Sequence, residues 1–432
     1  MNKTDFKINR REALKKISGA ALSGIAMLNT TTVFATGNTK LGKPFKIGYV
    51  SPQTGPLAIF AEPDTFTLAQ VKEAVKDGIT INGITHPVEI IYKDSQSNSN
   101  IASEVASQLI LKDEVDLLIA ASTPATTNPV ADQCELNGVP CLTTDTPWQP
   151  HFFGRGGDPK NGFEWTYHFF WGLEDIIGSY TNLWEQIPTN KVVGVLFPND
   201  SDGNAWGDAQ RGFPPVLKEK GFKVVDLGRY QSPSSDFSSY IYEFKKQGVE
   251  IVVGVIPPPD FANFWNQAGQ QGFNPKIVTV AKASEFPMAI APFGERANNL
   301  SVEVWWSPTH PYTSGLTGQS SQQLADAYTK VSGKQWTMPL GFKHALFEVA
   351  IDVLKRSEGP GNAESIRDAI ASTDYSSIVG PVNFKTGPVP NISKTPLVSG
   401  QWRKNDKKLD LVIVENSQAM GIKTQDKLRP IK

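Results

Sequence analysis

Cysteine, histidine and long apolar runs are scarce in this chain, and each scarcity removes a class of function. Two cysteines in 432 residues, Cys134 and Cys141, cannot build a disulfide scaffold or a four-thiolate zinc site. The five histidines, His86, His151, His168, His310 and His344, share no metal-ligand spacing and read as ordinary surface or core residues. Lys and Arg number 42 against 43 Asp and Glu, a formal charge of −1, so there is no global electrostatic footprint for nucleic acid. No apolar run reaches the roughly 18 residues of a membrane span. There is no G-x-S-x-G elbow, no H-E-x-x-H, no Walker A loop and no G-x-G-x-x-G after a strand. No catalytic residue, metal or cofactor is therefore expected.

What is present suits a soluble globular protein of two or three domains, with 39% hydrophobic and 20% charged residues. Residues 1–35 read as an export signal. Arg10 and Arg11 precede a short, small-residue apolar run from Ile17 to Leu28, and Val33-Phe34-Ala35 offers a cleavage site after about Ala35. The paired arginines resemble a twin-arginine signal, with an ordinary secretory leader as the alternative. The leader carries six basic residues (Lys3, Lys7, Arg10, Arg11, Lys15, Lys16) against Asp5 and Glu12, so its removal turns the charge from −1 to −5. A periplasmic protein that is not membrane-embedded after cleavage is the expectation.

From Pro44 onward, short apolar runs alternate with longer amphipathic ones, the pattern of βαβ units around a parallel sheet. Strands are expected at 45–50, 88–92, 115–119 and 139–142, with helices at 57–76, 101–111 and 128–136. A second series opens near Lys191, with strands at 192–197, 223–227, 251–255 and 276–280 and helices at 206–220, 237–247 and 261–270. The aromatic, glycine-broken stretch Trp148–Trp171 between them reads as linker and loop. Beyond Val304, helices at 322–331, 342–355 and 363–371 precede extended segments ending at 409–414. This tail is too short for a third domain and is expected to complete the other two.

Several strand ends carry hydroxyl-rich or turn-forming sequence, the edge at which open α/β sheets bind ligands. They are Ser51-Pro52-Gln53-Thr54-Gly55-Pro56, Ala121-Ser122-Thr123-Pro124-Ala125-Thr126-Thr127 and Thr143-Thr144-Asp145-Thr146-Pro147. Each hydroxyl either caps its helix or holds an anion with free backbone N–H groups. Asp200-Ser201-Asp202-Gly203-Asn204 looks like a calcium loop, but Ala205 and Arg211 stand where an EF-hand needs Gly and Glu. Cys134 and Cys141 are either two buried thiols or an oxidised pair.

These motifs, in their order, resemble the substrate-binding proteins of ABC importers, in the branched-chain amino-acid-binding branch. The pieces are Lys46 to Ala58, Ala121 to Thr126, Gly138 to Thr144, Asp202 to Gly207, Asp236 to Ser238 and Val379 to Phe384. The resemblance implies an α/β fold of two doubly wound parallel-sheet lobes joined by three crossovers, the type I periplasmic-binding-protein clamshell. It places 44–169 plus 305–390 in an N-terminal lobe and 171–303 plus 391–432 in a C-terminal lobe. It implies a small-molecule ligand, a membrane permease and ATPase as partners, a monomer, and binding without chemistry.

By the same resemblance, Ser122, Thr123 and Thr126 receive the ligand's carboxylate, Thr144, Asp145 and Thr146 form a second contact loop, and Phe60 and Trp206 pack on the ligand. Where amino-acid binders place an acidic residue for the ammonium, this chain has Val280-Ala281-Lys282-Ala283. Asp145 or Glu285 could substitute; otherwise Lys282 favours an anion or a ligand without an amine, unless it is a solvated rim lysine. Trp148, Phe152, Phe153, Trp165, Trp171, Trp305 and Trp306 either line an enlarged cleft or pack an insertion. A sensory binding protein of the same fold and an exported α/β hydrolase are the competing readings.

Overall fold

The computed structural model describes residues 40–405 and 408–431; the leader and its cleavage site lie outside them. Fully buried parallel strands need apolar side chains on both faces, and the β-branched runs supply them. In the first sheet the strands are β1 (Phe45–Ser51), β3 (Leu117–Ala121) and β4 (Cys141–Thr144), with β2 (Val88–Asp94) a half-buried strand at the edge. The helices between them are α1 (Asp64–Ala74), α2 (Ser99–Leu111) and α3 (Pro124–Asn137). Asn98 caps α2 by accepting from the N–H groups of Asn100 and Ile101. Gly138, at φ 67°, ends α3 in the left-handed conformation that glycine adopts without steric cost.

The stretch read as linker is instead structured. It holds α4 (Trp148–Phe152) and a buried strand, β5 (Thr166–Phe169), paired in parallel with β4. The strand T-Y-H-F hides its nature because half of it is polar. His168 is buried yet satisfied: its Nε2 donates to the Thr146 carbonyl (2.7 Å) and its Nδ1 accepts from Thr143 (2.8 Å). Burial holds its pKa down at about 3, so the ring is neutral.

The chain then passes through α5 (Leu173–Trp184) into the second sheet. Its elements are β6 (Val192–Leu196), α6 (Ser201–Trp206), α7 (Phe213–Glu219), β7 (Lys223–Val225), α8 (Ser238–Gln247), β8 (Ile251–Ile256), α9 (Pro258–Gln270), β9 (Ile277–Lys282) and β10 (Ser301–Val304). At Gly194 of β6 a Cβ would lie 2.8 Å from the Phe244 ring, so the glycine lets α8 seat on the sheet. The helix expected over 206–220 is broken: α6 ends at Trp206 and α7 begins at Phe213. Asp208 folds back to accept from Gln210 and Arg211 N–H groups, and this turn separates them.

After β10 the chain returns to the first sheet through α10 (Ser321–Ser332), the long buried α11 (Met338–Arg356) and α12 (Ala363–Ala371). Strand β11 (Ile392–Ser393) pairs with β5. Strand β12 (Val398–Lys404) adds antiparallel to β10, and β13 (Leu409–Glu415) antiparallel to β12. The two sheets run β11-β5-β4-β3-β1-β2 and β7-β6-β8-β9-β10-β12-β13. The chain therefore changes sheet three times, after β5, after β10 and after β11. Each sheet reverses its winding beside its first strand, and the carboxyl ends at those reversals face a common cleft. Two lobes of mixed α/β architecture result.

Candidate functional site

The cleft between the lobes is lined from both sides by the carboxyl ends of the strands. The N-terminal side gives Phe60, Thr123, Asp145 and Pro147; the C-terminal side gives Asp202, Trp206, Val255, Ala281, Lys282, Glu285 and Glu303. Phe170, Trp171 and Trp305, on the segments where the chain changes sheet, close the floor. The cavity among them is only about 30 Å³, room for one or two waters. The lobes touch around it: the Phe60 and Phe286 rings meet edge to face at 4.8 Å, and the Arg211 guanidinium lies 4.4 Å from the Phe153 ring centre. An organic solute therefore needs the lobes to part or these side chains to move.

Lys282 is the most informative of the sequence-expected residues. It stands at φ 63°, ψ −70°, a strained conformation for a side-chain-bearing residue. Its N–H donates to Glu285 Oε1 (2.6 Å). Its ammonium is buried and lies 2.8 Å from Asp202 Oδ2 and 3.5 Å from Asp200 Oδ2. It is neither a rim lysine nor an uncommitted cation. Burial opposes its charge, but the two aspartates outweigh burial and hold its pKa above the usual lysine range. Asp200 is also the N-cap of α6, accepting from the Gly203 N–H at 2.7 Å, so the calcium-like loop is a helix start and an ion-pair partner.

The cleft carboxyls hold their protons unusually tightly. Burial pushes the Asp145 pKa up to about 7 against the pull of Lys343 and the Ser122 hydrogen bond. Burial and Asp200 raise Asp202 against Lys282. Glu285 is raised well above its usual range by burial and by the adjoining Glu303. Glu303 is itself raised by burial although Tyr180 donates to it. Two carboxyls this close, away from water, favour sharing one proton. Asp145 Oδ1, Asp202 Oδ1 and the indole N–H groups of Trp171, Trp206 and Trp305 are buried with no partner within the protein. A buried polar atom left unpaired costs about 1–3 kcal/mol, which a bound solute can recover.

Four of the hydroxyls expected to hold ligand are turned inward. Ser122 donates to Asp145 Oδ2 (2.7 Å), Thr126 pairs with Ser95 (2.8 Å), Thr144 donates to the Phe169 carbonyl (2.7 Å), and Thr146 meets Thr127 (3.2 Å). Behind them lies a buried charged network. Lys343 of α11 contacts Asp64 Oδ1 at 3.1 Å and donates to Ser51 (2.9 Å), and Asp64 also accepts from Tyr49 and Tyr92.

A family model for the periplasmic binding proteins matches residues 44–403. The chain belongs to that family. Proteins of this fold with solved structures include solute-binding proteins of ABC transporters. Three solved structures illustrate the likeness. The branched-chain amino acid transporter substrate-binding protein of Streptococcus pneumoniae, in complex with isoleucine, shares 16% identity, with 86% of this chain and 99% of that one covered and a TM-score of 0.68. A Rhodopseudomonas palustris solute-binding protein in complex with 4-hydroxybenzoate shares 15%, covering 90% and 98%, at 0.69. A type 1 periplasmic binding protein of Bordetella pertussis shares 14%, covering 86% and 100%, at 0.71.

In this binding protein the aromatic residues singled out in the sequence divide. Trp171 and Trp305 line the cleft, whereas Trp148, Phe152 and Phe153 pack together beside Ile392. Trp165 carries the Arg367 guanidinium on its face, and Trp306 meets Trp336 edge to face. Cys134 and Cys141 are buried free thiols. Sequence reasoning missed Glu303 and Phe170 and gave Asp202 no role of its own; a lone glutamate in the apolar strand Ser301–Val304 was the available signal. One Ser–His–Glu contact exists, with Ser314 at 2.9 Å and Glu348 at 3.4 Å from His344. Both contacts fall on Nε2 and all three residues are buried, so it lacks the relay through opposite ring nitrogens that a nucleophile needs. Among the described residues, no helix is long and apolar enough to cross a membrane and no group of three metal-ligating side chains forms.

Proposed function

We propose that this protein is an exported solute-binding protein that captures a small organic solute between its lobes and delivers it to the permease and ATPase of an ABC importer. It works as a monomer in the periplasm once the leader is removed after about Ala35. The observation that carries the reading is the set of buried, unpartnered polar atoms on Asp145, Asp202, Trp171, Trp206 and Trp305 around one aromatic-lined cleft. Polar groups left unsatisfied by a folded chain, gathered between two hinged lobes, are what a ligand-closed clamshell requires. Phe60, Thr123, Asp145, Trp206 and Lys282 then form the cleft wall, while Ser122, Thr126, Thr144 and Thr146 hold that wall in place.

The test is a thermal-shift screen of the mature protein, refolded to remove carried solute. The panel holds aliphatic and aromatic amino acids, their deaminated acids and the corresponding amines. A solute at about 1,000 times its dissociation constant adds roughly 4 kcal/mol and raises the midpoint by several degrees. Cells lacking the gene should lose uptake of the solute that binds. Turnover of the bound compound, or intact uptake without the protein, would refute the reading.

A further inference from the structure

The balance of charge across the cleft identifies the kind of solute. Four carboxyls line one cavity: Asp145, Asp202, Glu285 and Glu303. The only lysine lining it, Lys282, is already committed to Asp202 and Asp200. Lys343, behind Asp145, is committed to Asp64 and Ser51. An anionic solute would therefore meet carboxyls with no uncommitted ammonium to receive it. Ser122, beside the cavity, points its proton at Asp145; Thr123 is the hydroxyl residue that lines it.

The same cavity has what a cation needs. One oxygen each on Asp145 and Asp202 is buried without a partner, and indole and phenyl rings surround them. A cation beside aromatic rings, screened from water, is attracted to their faces. The unpartnered indole N–H groups of Trp171, Trp206 and Trp305 call for acceptors on the body of the solute, which a hydroxyl, ether or carbonyl oxygen supplies.

Building on the solute-binding reading above, we infer that the cleft takes a compact organic cation with an apolar or aromatic body, an amine or amidine, seated between Asp145 of one lobe and Asp202 of the other. A carboxylate on the solute is not required and is disfavoured. The carboxyls must give up protons to receive it. Asp145 faces Ser122, Lys343 and Asp64; Asp202 faces Lys282, Asp200 and Glu303; Glu285 faces Glu303 and Lys282; Glu303 faces Tyr180. With Asp145 half-protonated near pH 7, a cation drives proton release, and its affinity falls as the pH falls below that point.

The experiment is isothermal titration calorimetry of the mature, ligand-stripped protein with matched probes. The cations are phenethylamine, tyramine and benzamidine; the anions are phenylacetate, 4-hydroxyphenylacetate and benzoate; phenylalanine carries both charges. At least one cation is expected to bind about ten-fold or more tightly than its matched acid. Its affinity should drop about ten-fold between roughly pH 7.5 and pH 5.5, where the probe itself stays charged. Heats in phosphate and HEPES should differ by the ionisation of the buffer, reporting net proton release. Asp202→Asn and Asp145→Asn should each weaken the cation at least about five-fold, and Asp145→Asn should do so without lowering the melting midpoint of the unliganded protein. An acid that binds more tightly than its amine, or a cation affinity independent of pH, would overturn the cationic assignment and leave solute binding intact. No binding by any probe of either charge would overturn both.

Discussion

The two walls of the cleft solve the same structural problem in opposite ways. On the N-terminal wall the polar groups spend themselves on one another: hydroxyls bond to carbonyls and to each other, and Lys343 with Asp64 forms an ion pair sealed behind the surface. On the C-terminal wall the charges line the cavity, where Asp202 pairs with Lys282 and Glu285 adjoins Glu303. One wall is rigid scaffolding and the other is electrostatic, with Asp145 the one group of the first wall that belongs to the second. The lesson is that the hydroxyls of one strand end divide: Thr123 lines the cavity while Ser122 and Thr126 bond to neighbouring side chains.

Breaking the scaffold side gives the largest effect. Lys343→Met leaves Asp64 buried without its cation and should cost about 3–5 kcal/mol in urea unfolding. Asp145→Asn sharpens the boundary between the walls. Its folded pKa of about 7 lies above an unfolded value of about 3.9. Its contribution to stability is therefore full below about pH 4 and lost as the pH rises through 7, a swing of up to about 4 kcal/mol. The variant should abolish that slope and be more stable than wild type near pH 8, as seen in denaturant midpoints across pH.

Trp206→Phe should act on the other wall. It keeps a ring stacked on Phe213, now 5.0 Å away, but loses an unpartnered N–H. Solute binding should weaken by about five- to ten-fold, near 1 kcal/mol, in calorimetric titration. Smallest is Thr144→Val, which removes a buried hydrogen bond to the Phe169 carbonyl. It should cost about 1 kcal/mol of stability and leave affinity unchanged; a clear loss of affinity would return Thr144 to the binding surface.

Both sheets were legible because parallel strands buried on two faces must be continuous apolar runs, as in Leu117–Ala121 and Ile251–Ile256. Strand Thr166–Phe169 was not legible, because the partners that make His168 tolerable come from Thr143 and from the Thr146 carbonyl, more than twenty residues away. The split of the helix expected over 206–220 was likewise hidden in a side-chain turn at Asp208. In the cleft, the type and order of the motifs pointed to the strand ends, but not to which side chains face the cavity.

The sequence by itself determined most of the elements of this protein and the sheet edges at which they leave polar residues, because periodicity and turn chemistry are local. Only the tertiary structure decided that Lys282 is spoken for by Asp200 and Asp202, that Ser122 serves Asp145, and that Glu285 meets Glu303. Charge and hydrogen bonding act over a few ångströms of space, and the residues they join here lie up to about eighty positions apart along the chain.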